Sequence, residues 1–208
     1  NTIGTSNSAF CFYALLSNTT GINNTAIGYA SLQNNTTGYN NSAFGYKSLF
    51  ANTTGTYNTA IGFGTLQTNT IGVRNSAFGH AALILNTSGN NNSAFGYYAL
   101  YNNTTNNNSA FGYKALQNNT TGANNTAVGQ GALNSNVGNS GSVAVGYNAM
   151  YYADDRASGT TLANTAVGYE ALKGSVTAAN NIGSTNTALG YQSLYSNSSG
   201  SSNVGIGY

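Results

Sequence analysis

A 17-residue period governs the whole chain. A small residue, a bulky apolar residue and then Gly recur at Ala26-Ile27-Gly28, Ala43-Phe44-Gly45, Ala60-Ile61-Gly62, Ala77-Phe78-Gly79 and Ala94-Phe95-Gly96. The series runs from Ala9-Phe10-Cys11 to Gly205-Ile206-Gly207, twelve times in 208 residues, at steps of 17 apart from one of 16 and two of 22. Such a period excludes an ordinary globule, because a unit this short cannot bury its own apolar face and must stack on copies of itself.

One unit, Asn24 to Asn40, contains Thr25-Ala26-Ile27-Gly28-Tyr29, then Leu32, then Asn35-Thr36-Thr37-Gly38. A helix does not tolerate two Gly per unit. Period-two alternation with Asn and Gly punctuation instead indicates short strands and tight turns. The expected fold is all-β, a parallel β-roll or β-solenoid of about twelve 17-residue coils in one repeat domain, 1–208. Loop insertions fall near 150–164 and 173–186. At about 4.8 Å per coil the rod is roughly 55–60 Å long.

Within each coil, Thr25, Ile27 and Tyr29 are assigned to one strand face and Ala26 and Gly28 to the other. The second face is tiny in every copy, as close backbone approach requires. The Leu column (Leu15, Leu32, Leu49, Leu66, Leu83, Leu100, Leu116, Leu133, then Met150, Leu172 and Leu194) is the apolar plug. Ile27, Gly28, Leu32, Phe44, Gly45, Leu49, Phe95, Gly96, Leu100, Val128, Gly129 and Leu133 are taken as the structural repeat core. The Tyr column is read as buried with them. In the Asn-Thr-Thr-Gly turn, Gly is expected to supply positive φ and Asn to bond local backbone, with Asn columns laddering amide to amide.

Composition narrows function by exclusion. Charged residues make up 4%, proline and tryptophan are absent, and hydrophobic residues reach 40%. Lys47, Arg74, Lys114, Arg156 and Lys173 are scattered, so nothing resembles a nucleic-acid or lipid-headgroup footprint. No stretch has the length of a membrane-spanning helix, no cofactor motif is present, and ionisable groups are too few to build an enzyme's active site. Gly62-Phe63-Gly64 and Gly129-Gln130-Gly131 come from the repeat and are not nucleotide loops. The chain opens in the middle of a repeat and is read as an excerpt.

The unit Asn24-Thr25-Ala26-Ile27-Gly28, repeated as Asn125-Thr126-Ala127-Val128-Gly129, resembles the head repeats of YadA-like trimeric autotransporter adhesins. The longer Tyr-x-Ala-Leu-x-x-Asn-Thr-Thr-Gly pattern is similar to tail-fibre-type shafts. The resemblance covers essentially the whole chain, although the adhesin head repeats are shorter than 17 residues. It implies a left-handed roll assembled as a homotrimer, outside the cell, on a cell surface or on a virion. A shaft of that kind holds a binding tip away from the surface, and a host glycan or receptor would be met through a tip absent from this chain. The alternatives are a single-chain solenoid, or a self-assembling filament subunit, binding glycan or ice along one face.

A few residues fall outside the pattern. His80 occupies the Tyr column and is expected to replace an aromatic ring. Cys11 stands where other copies have Gly and is read as a buried, inert thiol. Asp154 and Asp155, beside Arg156 in the first insertion, are weak metal candidates. Tyr151, Tyr152, Asp154, Asp155, Arg156 and Lys173 are the candidate partner contacts. Asn18-Thr19-Thr20 and Asn35-Thr36-Thr37 match the glycan acceptor pattern, which turn chemistry also explains.

Overall fold

The structure, a computed structural model, describes residues 3–152, 161–177 and 180–208. Twelve three-residue strands follow one another, one per coil: β1 (Ser8–Phe10), β2 (Thr25–Ile27), β3 (Ser42–Phe44), β4 (Thr59–Ile61), β5 (Ser76–Phe78), β6 (Ser93–Phe95), β7 (Ser109–Phe111), β8 (Thr126–Val128), β9 (Val143–Val145), β10 (Thr165–Val167), β11 (Thr187–Leu189) and β12 (Val204–Ile206). They form a single parallel sheet in chain order, with Ala26 on Ala43 and Ala43 on Ala60. The register survives both insertions, since Ala144, Ala166 and Ala188 still align. This is a β-solenoid of 17-residue coils.

Outside the strands the backbone also bonds from coil to coil. Leu32 N donates to Ser48 O, Asn34 N to Phe50 O and Thr36 N to Thr53 O, at 3.0–3.2 Å. Closing a coil in 17 residues requires left-handed corners. In the third coil these are Asn40 (φ 56°), Gly45 (φ 127°), Lys47 (φ 52°) and Leu49 (φ 49°), and the pattern repeats along the rod. A non-glycine residue there costs about 1–2 kcal/mol, a cost offset by the stack.

The turn glycines correct one expectation. Gly38 is not in the left-handed region; a Cβ there would lie 2.4 Å from Asn35 Oδ1 and 2.5 Å from Gly55 O. It is needed for space, and the positive φ sits instead at Gly28, Gly45 and their equivalents after each strand.

The interior is narrow, and that decides which residues enter it. The central Ala of β2 to β11 and most of the Leu column are fully buried. Ile27 and Val128 are exposed, and Phe44 and Phe95 are half-exposed. These four belong to the outer face and not to the core: strand alternation places only one residue of each three inside, and the coil has room there only for a methyl group.

A column of small residues before each Leu (Ser31, Ser48, Thr65, Ala82, Ala99) is buried as well, and the larger polar part of the interior is two columns of asparagine. In the first, Asn35 Nδ2 donates to Asn18 Oδ1 (2.8 Å) and to Gly38 O (2.9 Å), and Asn52 Nδ2 to Asn35 Oδ1 (2.8 Å). In the second, Asn41 donates to Asn24 Oδ1 from both its backbone N (3.0 Å) and Nδ2 (3.1 Å), and Nδ2 also reaches Gly55 O (2.8 Å). Buried amides are destabilising unless bonded, and each rung supplies the partner for the next.

Candidate interaction face

Two parallel columns of large side chains lie on the outer face of the sheet, beside the Ser/Thr column that opens each strand. One holds the third strand residue, from Phe10 and Ile27 to Leu189 and Ile206; the other holds the residue after the corner, from Phe12 and Tyr29 to Tyr208. The Tyr column is on the surface of the chain, contrary to the burial expected for it: Tyr29, Tyr46, Tyr113 and Tyr169 are 41–46% exposed. Ala takes the interior place, so the rings are left outside and pack on one another instead.

The rings form a stack. Centroid separations run Tyr29–Tyr46 5.4 Å, Tyr46–Phe63 4.9 Å, Phe63–His80 5.1 Å, His80–Tyr97 5.0 Å and Tyr97–Tyr113 5.5 Å, with planes within 16° of parallel. Gln130 interrupts it, and it resumes as Tyr147–Tyr169–Tyr191–Tyr208 at 5.1–5.2 Å. Phe78, Phe95 and Phe111 stack beside it at 4.6 and 4.9 Å. His80 thus replaces a ring, as its column implied. Its exposed neighbour Tyr97 has its phenol pKa raised, first by a hydrogen bond with Tyr98 and then by burial.

This geometry limits what the face can bind. Each ring covers the faces of its neighbours, so edges and hydroxyls point outward and a sugar ring finds few open faces for stacking. The first Thr of most turns is also committed: Thr36 Oγ1 donates to Thr53 O and Thr53 Oγ1 to Thr70 O, both at 3.1 Å. The acceptor-pattern residues Asn18 and Asn35 are buried rungs with bonded amides, so the folded coil leaves no place for a glycan on them.

The lone thiol is another correction. Cys11 is exposed, at φ 104° in the corner column. It lies in the first described coil.

The insertions are only partly described. Asp154, Asp155 and Arg156 lie outside the described residues. Tyr151 and Tyr152 meet edge to face at 4.9 Å, and Tyr151 packs over Gly131, where an added Cβ would approach it at 3.0 Å. Lys173 Nζ lies 2.6 Å from Glu170 Oε1 and over the Tyr195 ring at 5.4 Å. The hydrogen bond from Lys173 holds the Glu170 carboxyl below its ordinary range, burial opposes this, and Gln192 Nε2 adds a second donor at 2.9 Å. The repeat pattern pointed to neither Glu170 nor Asn181, both of which are unique to their coils. Asn181 turns back into the stack, donating to Tyr152 O and to Ser175 O while its Oδ1 accepts from Ser175 N at 2.8 Å. Among the described residues no three His, Cys, Asp or Glu stand together as a metal site, and no helix is long and apolar enough to cross a membrane.

Comparison with protein-family models, with curated proteins and with solved structures finds no match to this chain.

Proposed function

We propose that this chain is a length of structural fibre or adhesin shaft, a rod whose outer sheet face packs on copies of itself in a homotrimer. Its work is mechanical: it holds a binding tip away from a cell surface or virion, outside the cell. The observation that carries this reading is the pair of outward columns. With roughly 200 Å² per large aromatic side chain and about two fifths of it exposed, they offer on the order of 1,500 Å² per copy. Soluble monomers rarely expose more than a few hundred Å² in one patch, and a standard stable interface needs about 800 Å² per partner.

The partner best suited to the face is another copy. No charged residue occupies either column, as in the core of an interface. The side chains recur once per coil, roughly every 4.8 Å. A surface with a different period would fall out of step within a few coils, whereas a second rod of the same period matches it along its length.

Sedimentation velocity on the Phe95→Glu/Phe111→Glu variant tests the reading. Two carboxylates on the outer face leave the interior untouched, so the coil spectrum should persist while the protein sediments as a monomer. A variant that still sediments like a multimeric parent would overturn it.

A further inference from the structure

We infer that His80 and Gln130 fix the axial register between copies, an inference that rests on the self-docking just proposed. A strictly periodic face has a defect as an interface: sliding one copy by a single coil re-creates nearly every contact. Flat, repetitive strands specify register weakly for the same reason. Something aperiodic has to distinguish one alignment from the next.

The two columns contain two polar departures from their pattern. All twelve residues of the Ile/Phe/Val/Leu column are apolar, and the other column is Tyr or Phe except at His80, after β5, and Gln130, after β8. Both are exposed on the protomer, with the ring stack continuing through His80 and stopping at Gln130. Docked one coil out of register, the Gln130 amide meets a Tyr edge whose single hydroxyl satisfies only part of its donors and acceptors, which is unfavourable. Docked in register on a parallel copy, it meets the same amide at the same height. A primary amide both donates and accepts, and so does a neutral imidazole, so each can bond its own counterpart. A slip of one or two coils matches neither residue. A slip of three sets His80 on Gln130 but leaves the other member of each copy facing rings. A single buried Asn sets the register of coiled coils by the same logic.

The test uses spin labels on a Cys11→Ser background, because Cys11 is exposed. Labels go at Thr37, after β2, or at Thr121, after β7; both are exposed and off the outer face. Copies labelled at Thr37 are refolded together with copies labelled at Thr121, and pulsed dipolar spectroscopy reads the distance between them. A sample labelled only at Thr37 reads orientation. The expected result is one narrow distance in the Thr37 sample and, in the mixed sample, one further narrow distance for the Thr37–Thr121 pairs, offset by about five coils along the rod. In the His80→Tyr/Gln130→Tyr variant, the mixed sample should spread into several distances reflecting slips of about 4.8 Å per coil, with the mass unchanged. A variant that keeps the single narrow distance overturns the inference. A Thr37 sample showing an axial separation of about eight coils, roughly 38 Å, would mean antiparallel copies, and would overturn it too. A monomeric mass with no dipolar coupling is a different result: the assembly itself fails, and the register with it.

Discussion

The first eight coils and the three that follow them are built to one plan but are not held together equally well. From Asn18 to Asn136 the first asparagine column is continuous, rung to rung. It then stops: Asn136 Oδ1 is buried with no partner among the described residues, and the column resumes only at Asn197, which bonds Gly200 O. The second column loses one rung at Ser142, whose backbone N still donates to Asn125 Oδ1 at 3.0 Å. A cavity of about 30 Å³ opens in the same stretch, lined by Leu133, Met150, Leu172 and Asn164 among others. The described residues at the edges of both insertions, Tyr152, Leu162 and Gly174, line it too. A repeat stack therefore does not need identical coils; it needs each coil to satisfy the next, and where the rungs fail Asn181 is recruited to tie Tyr152 to Ser175.

Paired substitutions sharpen the contrast. The largest expected difference is in the Leu column. Leu66 is fully buried between intact coils, so Leu66→Ala should lower stability by about 3–5 kcal/mol. Leu172, 6% exposed beside the cavity, should lose about 2–3 kcal/mol on truncation, because a site with free space collapses more easily. Urea unfolding of the two variants checks this, and equal losses would erase the distinction. Next come the rungs. Asn69→Ala removes a donor to Asn52 Oδ1 and to Gly72 O, and the acceptor for Asn86; about 3 kcal/mol follows from orphaning those buried groups. Asn197→Ala, which removes a single bond at the interrupted end, should lose about 1 kcal/mol.

The smallest effect is electrostatic. The Glu170 carboxyl titrates below its ordinary value because Lys173 bonds its charged form. A lowered folded pKa stabilises above the ordinary carboxylate pKa, and that contribution is lost as pH falls through the folded value. Glu170→Gln should therefore lower stability by about 0.5–1 kcal/mol at neutral pH, and match the parent in strong acid. Thermal melts at the two pH values read this, and a pH-independent difference would assign Glu170 a packing role instead.

Much of this was legible in the period. Seventeen residues per coil, parallel in-register stacking, the Leu plug, the Asn ladders and the aromatic role of His80 all follow from which residue types recur at which place. The misreading was of inside and outside. Ile27, Phe44, Phe95 and Val128 looked like core because large apolar residues usually are, yet the tiny alternate residue, Ala26 or Ala43, marks the interior of a coil this narrow. The same habit buried the Tyr column and Cys11. Glu170 and Asn181 escaped because a residue used once has no column to reveal it.

Light scattering on the purified chain tests the central claim most directly. A rod whose outer face is covered by its own copies should show a molar mass near three times 21.3 kDa. A stable monomer at 21.3 kDa, its two apolar columns left in water, would contradict the account.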